Sequence, residues 1–505
     1  MLSGETICAP ATQAGTGAIA IVRVSGPGAL RIADSVATCK RGVLSDTPSQ
    51  TMRYVTIPYE DGPLDEGLAA VFRAPHSYTG EDCVEFYCHA SSYIVSRLLE
   101  LLCRAGCRMA RPGEFTQRAF ICGKMDLPQA EAVADLIAAS SRLEHRVAAS
   151  QMRGGYSLKL KELRDCLLRL SALMELELDF SEEQVEFADR EALVSICSEA
   201  VRECSRLAES FRTGNAIRSG VPVAIVGAPN SGKSTLLNAL LQEDRAIVSP
   251  VAGTTRDTVE EVCEIGGVKF RFIDTAGIRD ADEGVEKIGI ERSYGAISKA
   301  DFVLALEDGT QERPSGCGGG KENGRRYDGG ILEDIVQRID FERQHFAVLR
   351  TKCDLADFCP KLPLIERDKC CNKKVINGNK IVSCTDYKIF TLKISAKSGE
   401  GLDVLKKWLS DTVVGACLSS KAENDAASVA GAGDILVTNA RHAAALSAAS
   451  ESLSKVLDGL RSPLPCDLLA EDLRDAISHL GAILGEYISP DEVLGEIFGK
   501  FCIGK

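Results

Sequence analysis

The spacing of apolar residues changes along the chain, from a period typical of strands to one typical of helices. Between about residues 6 and 115, apolar and polar positions alternate in short runs separated by glycine turns, a pattern typical of strands. Three of these runs are predicted strands: Ala18 to Val24, Gly67 to Phe72 and Cys83 to Cys88. Tyr93 to Cys103 has helical spacing instead. We therefore expect this part of the chain to form a compact α/β domain with a mixed sheet.

The period becomes helical from Pro128 to about Arg212. One long amphipathic helix is marked by apolar residues at steps of three and four, namely Leu160, Leu163, Leu167, Leu170 and Met174. A second helical tract lies far downstream, and its apolar face is made by Leu446, Ala449, Leu453, Val456, Leu457 and Leu460. Neither tract has enough partners alone. We therefore predict one helical domain, interrupted by an inserted domain.

The inserted segment carries a phosphate-binding pattern. Gly227-Ala-Pro-Asn-Ser-Gly-Lys-Ser234 matches G-x-x-x-x-G-K-[ST], with an apolar strand predicted before it and a helix after it. In such a loop the backbone N–H groups and the helix N-terminus cradle phosphates. Lys233 can then reach the β and γ oxygens, and Ser234 can ligate Mg²⁺. The flanking strand and helix argue against a chance match.

Four further stretches follow in the order that a GTPase needs. Gly253-Thr-Thr-Arg-Asp257 offers Thr255 to Mg²⁺, and Asp274-Thr-Ala-Gly277 places a carboxylate and a glycine N–H after a predicted strand. In Thr351-Lys-Cys-Asp354, the carboxylate can accept two hydrogen bonds that guanine offers and adenine does not. Ser395-Ala-Lys397 then closes over guanine O6. Each stretch alone is a weak signal, but five in order predict a GTP site.

Two positions depart from the usual GTPase pattern. Asparagine is the common first residue of the base-reading stretch, and Thr351 replaces it, which leaves part of the hydrogen bonding between loops unaccounted for. Ras-like proteins have a water-orienting glutamine shortly after the Asp-x-x-Gly turn. Ile278 stands in that neighbourhood, and an apolar side chain cannot polarise water. Hydrolysis must use another group, and the acidic loop that follows offers several carboxylates or is simply solvated: Asp280, Asp282, Glu283 and Glu286.

Four stretches outside these motifs complete a resemblance that runs from Glu5 to Lys505. They are Ile21-Val-Arg-Val-Ser-Gly26, Pro75-His-Ser-Tyr-Thr-Gly-Glu-Asp82, Ala110-Arg-Pro-Gly-Glu-Phe-Thr-Gln-Arg-Ala-Phe120 and the tail Phe501-Cys-Ile-Gly-Lys505. With them, the chain closely resembles the MnmE (TrmE) family of tRNA modification GTPases. The resemblance implies an α/β plus all-α fold class, with a folate-binding-like N-terminal domain and a helical domain interrupted by a Ras-like P-loop G domain.

The resemblance and the periodicity together predict four segments. Residues 1–118 form an N-terminal α/β domain for dimerisation and tetrahydrofolate binding, and residues 119–217 form the first part of the helical domain. Residues 218–412 form the G domain. Residues 413–505 form the second part of the helical domain and end in the Phe-Cys-Ile-Gly-Lys tail.

The nucleotide site carried over from the motifs is extensive. The predicted GTP-binding residues are Asn230, Ser231, Gly232, Lys233, Ser234, Thr235, Ser249, Thr254, Thr255, Asp274, Thr275, Ala276, Gly277, Thr351, Lys352, Asp354, Ser395, Ala396 and Lys397. Ser234 and Thr255 are the predicted Mg²⁺ ligands. The resemblance further implies that Glu286 positions the hydrolytic water, and that a bound K⁺ replaces the arginine finger, held by Asn230, Ser249, Val251 and Thr254.

A second site is implied in the N-terminal domain. The resemblance points to a tetrahydrofolate derivative at a homodimer interface, with ligands at Arg23, Glu85, Lys124 and Lys505. Without the resemblance, Arg23 and Glu85 would be interpreted as an ion pair on a sheet. Cys502 in the tail is a candidate nucleophile for C6 of a uracil ring, because thiolates add to such positions. The alternative is a small residue that packs the tail.

The implied activity is K⁺-dependent GTP hydrolysis coupled to tRNA modification. GTP with Mg²⁺ and K⁺ orders the switch loops, the two G domains of a homodimer meet, and the helical arms move. The implied partners are tRNA and the FAD-dependent MnmG, in a heterotetramer-type complex. The product is an aminomethyl or carboxymethylaminomethyl group on C5 of the wobble uridine.

Composition narrows the setting. The net charge of -13 argues against a uniformly basic nucleic-acid binder, so any tRNA contact needs a local patch. No run of 18 apolar residues exists and the N-terminus lacks a signal pattern, so we expect a cytoplasmic protein without membrane contact. The 20 cysteines are scattered and are expected to be buried thiols. One loose group is a weak metal-site candidate: Cys353, Cys359, Cys370, Cys371 and Cys384.

Two segments of the predicted G domain, which we call excursions, are longer than a minimal nucleotide-binding fold requires. Residues 312–330 are too polar and glycine-rich to bury a core, so a disordered loop is expected. Residues 357–386 are rich in cysteine and lysine, and a small β-excursion and a partner contact both remain open.

Other classes fit less well. A ribosome-assembly GTPase that acts as an RNA-binding switch would carry an RNA-binding module with a Gly-x-x-Gly loop after the G domain, where this chain is helical. A membrane-associated G protein is disfavoured by the acidic charge and the absent spans. Loss of activity on an intact fold ranks last, because the phosphate-contacting residue types are present.

Overall fold

The computed structural model describes residues 4–13, 15–60, 62–179, 190–243, 260–273, 295–310, 334–355, 374–377, 380–383, 389–419, 435–462, 466–486, 498, 501 and 504. The chain divides into two compact units. The first unit comprises Met1–Ile137, Ala148–Ala208 and Arg441–Lys505, and the second comprises Ala138–Val147 and Glu209–Ala440. The boundaries between these two units differ from the predicted domain boundaries after residues 118, 217 and 412. The predicted domain boundaries therefore remain a prediction.

The first unit contains a seven-stranded mixed sheet. Its strands are β1 (Ile7–Pro10), β2 (Gly17–Ser25), β3 (Thr38–Cys39), β4 (Thr51–Tyr59), β5 (Gly62–Phe72), β6 (Cys83–Ala90) and β7 (Arg108–Met109). They lie in the order β3-β4-β5-β6-β2-β1-β7. Only the β1–β7 pair among them is parallel. The three strands predicted from alternation lie within β2, β5 and β6.

Two helices cover one face of this sheet. They are α1 (Ala29–Val36) and α2 (Ser92–Arg104), with a short 3-10 turn at Leu44–Asp46 between β3 and β4. Strand positions such as Val22, Val24 and Phe86 are buried against Leu98 and Leu102 of α2. The next residues along each strand point to the opposite face, since the side-chain period of a strand is two. Arg23 and Glu85 lie on that second face, directly opposite each other.

Further helices complete the first unit. They are α3 (Glu114–Ile121), α4 (Leu127–Ala138), α5 (Arg142–Met152), α6 (Gly155–Asp179) and α7 (Arg190–Glu209), followed after the second unit by helices given below. The five residues predicted as the stripe of α6 are all buried. α4 and α5 each cross a boundary between the units, so residues 138–147 are counted with the second unit.

The second unit contains a six-stranded sheet. Its elements in chain order are α8 (Phe211–Ser219), β8 (Val221–Gly227), α9 (Lys233–Glu243), β9 (Glu261–Ile265), β10 (Val268–Phe272), β11 (Phe302–Asp308), β12 (His345–Thr351), β13 (Lys374–Asn377), β14 (Lys380–Ser383), β15 (Phe390–Lys393) and α10 (Leu402–Ser419). The sheet order is β15-β12-β11-β8-β10-β9, and every pair except β9–β10 is parallel. Parallel strands put their carboxyl ends at one edge, where ligands bind in such folds.

Two helices return the chain to the first unit, α11 (Ala440–Arg461) and α12 (Cys466–Leu484). Arg441, at the start of α11, bonds Glu131 of α4 at 3.0 Å and the Ala482 carbonyl of α12 at 2.8 Å. Along α11 the predicted apolar face is buried except for Leu457, which is half-buried. The helical tracts on either side of the second unit therefore pack as one body. The α/β plus all-α fold class is confirmed.

The 357–386 excursion contains a two-stranded antiparallel ladder between β13 and β14. This agrees with the β-excursion alternative for those eight residues, whereas most of the excursion lies outside the described residues. The 312–330 excursion lies outside them entirely.

Candidate functional site

The phosphate loop joins the end of β8 to the start of α9. Gly227 has φ 152° and a Cβ there would lie 2.5 Å from the Leu306 carbonyl of β11, so only glycine fits. Asn230 and Gly232 also have positive φ, at 62° and 94°. The Lys233 ammonium donates to the carbonyls of Gly227 at 2.9 Å and Ala228 at 2.7 Å, so it spans the loop. Residues 227–233 thus form a closed turn at the carboxyl edge of the sheet.

Two hydroxyls stand on the first turn of α9. Ser234 and Thr235 are both exposed, as is Asn230 in the loop before them. A cation-binding oxygen has to be accessible beside the phosphates, and the Ser234 hydroxyl meets that condition. The buried residues of α9, such as Leu236, Leu237 and Leu240, hold the helix on the sheet.

The base-reading residues meet at the ends of β12 and β15. Ser395 is fully buried, and its hydroxyl donates to Asp354 Oδ1 at 2.7 Å. The Ser395 hydroxyl also accepts a bond from the Ser398 N–H at 3.2 Å. Asp354 itself is exposed. The buried Ser395 hydroxyl therefore orients one oxygen of a carboxylate that remains accessible to a ligand. The structure therefore brings together the two predicted base-reading stretches.

Lys352 is held by a carboxylate that sequence reasoning missed. Its ammonium lies 2.8 Å from Asp308 Oδ2 at the end of β11, and its backbone has φ 59°. Burial raises the pKa of Asp308, but the bonds from Lys352 and Thr310 outweigh it and bring the pKa below its ordinary value. Asp308 is the last residue of the buried apolar strand β11, a position similar to that predicted for Asp274.

Thr351 supplies the connection between loops that the sequence left unaccounted for. Its buried hydroxyl lies 2.6 Å from the Ser231 carbonyl of the phosphate loop and 3.2 Å from the Glu307 carbonyl of β11. Thr351 also accepts a bond at its carbonyl from the Gly309 N–H at 2.9 Å. The replacement of asparagine by threonine therefore keeps a bridge to the phosphate loop.

A second candidate site lies on the open face of the N-terminal sheet. Arg23 Nε donates to Glu85 Oε1 at 2.8 Å, and Tyr87 donates to Glu85 Oε2 at 3.0 Å. The Arg23 guanidinium lies over two aromatic rings, 5.2 Å from the centroid of Tyr78 and 5.5 Å from that of Phe115. The expected ion pair is present, and aromatic faces flank it. The sequence did not single out these three aromatic residues, although Tyr78 and Phe115 lie in the quoted stretches.

Lys124 and the tail approach the same region. The Lys124 ammonium donates to the Pro75 carbonyl at 3.0 Å, in the loop that also carries Tyr78. Gly504 has φ 100°, and a Cβ there would lie 1.9 Å from the Pro10 carbonyl at the end of β1. β1 is the strand beside Arg23, since Ala9 is the direct partner of Arg23 in the sheet. Three of the four predicted folate ligands are described, and all three lie near this loop and strand.

Comparisons with known proteins cover the whole chain. The profile described as "GTP-binding protein TrmE N-terminus" matches residues 6–124, and the profile described as "MnmE helical domain" matches residues 127–502. A protein of Bacteroides thetaiotaomicron called tRNA modification GTPase MnmE is 45% identical over 506 residues, covering 100% of both chains. The chain belongs to the MnmE family. Proteins of the same name from Parabacteroides distasonis and Christiangramia forsetii are 44% and 45% identical, over 99% and 100% of this chain and 100% of their own.

A solved G domain aligns with part of the chain. The G domain of the T. maritima FeoB iron transporter aligns with 38% of this chain and 97% of its own at 20% sequence identity, with a TM-score of 0.23.

Several predicted site residues lie outside the described residues. They are Ser249, Val251, Thr254, Thr255, Asp274, Thr275, Ala276, Gly277, Glu286, Cys502 and Lys505. The described part of the predicted GTP site comprises the phosphate loop and the base-reading stretches.

A buried charge network supports the MnmE N-terminal domain and was not foreseen. Glu114, with a side chain only 4% exposed, lies 2.6 Å from Arg108 and 3.3 Å from the buried Arg118. Arg118 also reaches Glu81 at 3.0 Å. Burial alone would raise the pKa of Glu114, but hydrogen bonds from Arg108 and the Arg111 N–H, with the Arg118 charge, lower it to about 2. Glu81, Glu114 and Arg118 all lie in the stretches that carry the family resemblance.

The cysteines behave mainly as small apolar residues. Buried thiols among the described residues are Cys8, Cys83, Cys88, Cys107, Cys197, Cys204 and Cys263. Burial raises the pKa of Cys83 to about 12 and of Cys204 to about 12, which keeps them protonated. No group of three or more His, Cys, Asp or Glu side chains that could hold a metal is found in the described ranges. Of the loose cysteine group, only Cys353 is described, and its thiol donates to the Arg350 carbonyl at 3.3 Å.

Along the part of the chain that the structure describes, no helix is both long and apolar enough to cross a membrane.

Proposed function

We propose that this chain is a GTPase that modifies tRNA, and that it acts with the FAD-dependent MnmG in a heterotetramer-type complex in the cytoplasm. The proposed reaction places an aminomethyl or carboxymethylaminomethyl group on C5 of a wobble uridine. Family membership over the full length carries this proposal. The assembled phosphate loop and base-reading pair support its GTPase part.

Two groups of described residues are proposed to bind GTP, one at the phosphates and the other at the guanine base. The unoccupied N–H groups of the loop and of the first turn of α9 are proposed to bind the phosphates, and Lys233 is proposed to neutralise their charge. Asp354, oriented by Ser395, accepts hydrogen bonds from the guanine ring and thereby selects guanine over adenine. The backbone of Ser395 to Lys397 closes over guanine O6.

Two cations fit the loop. Ser234 and Asn230 are both exposed, and they are proposed as ligands of Mg²⁺ and K⁺ respectively. The other proposed ligands, Thr255 for Mg²⁺ and Ser249, Val251 and Thr254 for K⁺, lie outside the described residues. When bound there, these cations would supply positive charge that offsets the charge developing on the phosphoryl oxygens. The apolar Ile278 cannot polarise water, and membership of the MnmE family points to Glu286 as the residue that would hold the attacking water.

The N-terminal site fits a tetrahydrofolate derivative. Arg23 and Glu85 offer a donor and an acceptor side by side, and the rings of Tyr78 and Phe115 border them, which suits a flat heteroaromatic ring with polar edges. When bound, the folate supplies a one-carbon unit. Lys124 and the tail residue Lys505 are proposed to hold its acidic end. Cys502 is proposed as the nucleophile toward the uracil ring.

A homodimer is proposed because the open face of the N-terminal sheet is apolar around this site. Met52 and Tyr54 of β4, Leu68 of β5 and Ile19 of β2 are 40–63% exposed. Strand pairing puts them on the face of Arg23 and Glu85, since Leu68 lies opposite both Tyr54 and Tyr87. A large exposed apolar patch marks an interaction surface. A second copy would cover it and enclose the folate site.

The decisive experiment is mass spectrometry of tRNA nucleosides from a bacterium that lacks its own MnmE. Expression of this chain, together with its own MnmG, is expected to restore the aminomethyl-type wobble uridine. Glu286→Gln is expected to bind GTP but to lose turnover, and Cys502→Ser is expected to hydrolyse GTP but to lose modification. Continued absence of the modified uridine, despite folded protein and K⁺-stimulated GTP hydrolysis, would favour the ribosome-assembly alternative. In the described ranges, helices α11 and α12 follow the second unit, where that alternative would place an RNA-binding module.

A further inference from the structure

Thr351 links the two halves of the nucleotide site through one proton. The residue stands where asparagine is usual, and its hydroxyl has two carbonyl acceptors, Ser231 at 2.6 Å and Glu307 at 3.2 Å. A hydroxyl carries a single proton, so the shorter contact takes it. The Thr351 hydroxyl therefore donates its proton to the Ser231 carbonyl of the phosphate loop. Asparagine, with two amide protons, could serve both neighbours.

The hydroxyl is itself rigidly placed. Thr351 is 2% exposed and ends strand β12, and its carbonyl accepts from the Gly309 N–H at 2.9 Å. A Cβ built on Gly309 would lie 2.5 Å from that carbonyl, so the two backbones are in close contact. Strand β12 is hydrogen-bonded on both sides, to β11 and to β15. The sheet thus fixes the position from which the proton is donated.

The acceptor belongs to the peptide between Ser231 and Gly232. In a trans peptide the C=O and the N–H point in opposite directions. Because the Ser231 carbonyl points to Thr351, the Gly232 N–H points away from Thr351. The neighbouring groups are occupied: the Ser231 N–H bonds the Ala228 carbonyl at 3.2 Å, and the Gly232 carbonyl accepts from the Leu236 N–H at 2.9 Å. Within the described residues the Gly232 N–H makes no hydrogen bond, so it is available to an anion.

We propose that Thr351 is a positioning residue for phosphate binding: its hydroxyl holds the Ser231 carbonyl, and this aims the Gly232 N–H at a phosphate oxygen of the guanine nucleotide. The inference rests on the proposed GTPase function and deepens it. It separates Thr351 from its neighbour Asp354, because one acts on the phosphates and the other on the base. The base-reading stretch therefore serves both ends of the nucleotide.

The test compares three full-length variants in equilibrium binding of a fluorescent methylanthraniloyl derivative of GDP, with GDP, GTP and IDP as competitors. Thr351→Val removes the hydroxyl and keeps the shape, whereas Thr351→Ser keeps the hydroxyl. Thr412→Val is the matched control, because its hydroxyl donates within helix α10, to the Trp408 carbonyl at 2.7 Å. Thermal melting of each protein reports folding.

The expected result is weaker nucleotide binding with unchanged recognition of the base. Thr351→Val should weaken GDP and GTP about three- to tenfold, the effect of one hydrogen bond, while Thr351→Ser stays within about twofold of the unchanged protein. The ratio of GDP to IDP affinity should not change, because IDP lacks only the 2-amino group that Asp354 reads. At saturating GTP, the turnover rate should be retained while KM rises.

Three results would overturn the proposal. They are unchanged affinity in Thr351→Val, an equal loss in Thr412→Val, or a changed GDP to IDP ratio, which would mean that Thr351 acts through the base. If Thr351→Val does not fold, Thr351→Ala removes the same hydroxyl without a branched side chain, and the same criteria apply. The failure of the proposed function looks different, since the unchanged chain would then bind no guanine nucleotide.

Discussion

Asp354 shows how a single residue sets the choice of base. Its carboxylate is exposed and oriented by the buried Ser395 hydroxyl at 2.7 Å. Asp354→Asn replaces one carboxylate oxygen by an NH2 donor, so one of the two hydrogen bonds to guanine is lost and the other is no longer charge-assisted. At about 1.5–3 kcal/mol for the lost charged bond and about 1 kcal/mol for the weakened one, GDP affinity should fall by roughly fifty- to a thousandfold. Competition binding with GDP and XDP measures this, and XDP, which has a carbonyl in place of the 2-amino group, should gain relative to GDP.

The reference for that experiment is Ser395→Ala. It removes the orienting bond but leaves the carboxylate, so a smaller loss of about three- to tenfold is expected with guanine preference retained. Equal losses for Asp354→Asn and Ser395→Ala, or an unchanged preference for GDP over XDP in Asp354→Asn, would contradict the assignment of Asp354 to the base.

Glu114 makes the stability of the N-terminal domain depend on pH. Its folded pKa of about 2 lies below the ordinary value of 4.5. A lowered folded pKa stabilises the protein above the unfolded pKa, and this stabilisation is lost as the pH falls from about 4.5 to about 2. The loss should amount to about 3 kcal/mol, at 1.36 kcal/mol for each pKa unit. Denaturant unfolding at a series of pH values, followed by circular dichroism, measures it.

Glu114→Gln should remove most of that pH dependence and destabilise the domain at pH 7. It leaves Arg108 and Arg118 without their shared buried carboxylate, a change that costs about 3–5 kcal/mol. Glu199→Gln is the matched control, because that carboxylate is 75% exposed and pairs with Arg202 at only 3.6 Å. Its effect should be small. A Glu114→Gln protein with the same acid transition as the unchanged chain would show that other carboxylates control it.

Residue types at strand ends were predictable from sequence, whereas the partners of those residues were not. Asp354, Lys352 and Ser395 each sit in a short recognisable pattern, so their grouping followed from the parallel sheet. Asp308, which holds Lys352, lies 44 residues away in sequence. The hydroxyl of Thr351 reaches the phosphate loop across 120 residues. Such contacts depend on three-dimensional distance, and one sequence carries no record of it.

In the N-terminal sheet, the strands β2, β5 and β6 were predicted from the sequence, whereas β1, β3, β4 and β7 were not. β2 and β6 lie in the middle of the sheet, with one face buried, and their alternation is clean. β4 carries Met52, Arg53 and Tyr54 in succession, all exposed. Met52 and Tyr54 lie on the face without a helix, and Arg53 is exposed on the opposite face, so this part of the strand shows no buried period. β7 has only two residues, and its place is set by pairing with β1. Strands that lack a buried period leave no local signal.

Helix α8 shows how one glycine lets two elements approach each other. Gly214 is buried, and a Cβ there would lie 2.1 Å from the Val437 carbonyl and 2.8 Å from its carbon. Both contacts are to backbone, which cannot rotate away. The segment before α11 is also tied to the start of α8, since the Val437 N–H donates to the Ser210 hydroxyl at 3.1 Å.

Gly214→Ala should therefore destabilise the second unit although alanine is the better helix former. Forcing the backbones apart costs about 1–3 kcal/mol, more than the gain in helix propensity of about 1 kcal/mol. Gly415→Ala in α10 is the matched control, because nothing lies within 4 Å of its added Cβ, and it should be neutral or stabilising. Differential scanning calorimetry measures both changes. An equal or higher melting temperature in Gly214→Ala would show that the segment around Val437 is not held against α8.

For the whole molecule, the helical part of the first unit explains how a G domain can be inserted into it. α7 leaves this unit and α11 re-enters it, and the two helices are bonded to each other. Ser205 and Ser450 share a hydrogen bond at 2.8 Å, and Cys197 donates to the Leu453 carbonyl at 3.4 Å. Residues later in α7 thus face residues earlier in α11, which places the exit and the return side by side. Chain termini that lie close together make insertion tolerable.

The first unit should consequently fold without the second. Residues 210–439 would be replaced by a short Gly/Ser linker that joins α7 to α11. Because the core of the N-terminal sheet and the contacts of α6 with α12 and of α7 with α11 lie within this unit, we expect a cooperative thermal transition. Since the apolar sheet face also lies within it, light scattering on a sizing column should give a dimer. Leu68→Asp, on that face, should give a folded monomer, whereas Leu158→Asp, which is equally apolar and 62% exposed on α6, should remain dimeric. If the fragment without further substitutions is a monomer, the dimer contact must lie in the second unit. If the fragment shows no cooperative transition, the helical tracts need the G domain in order to pack.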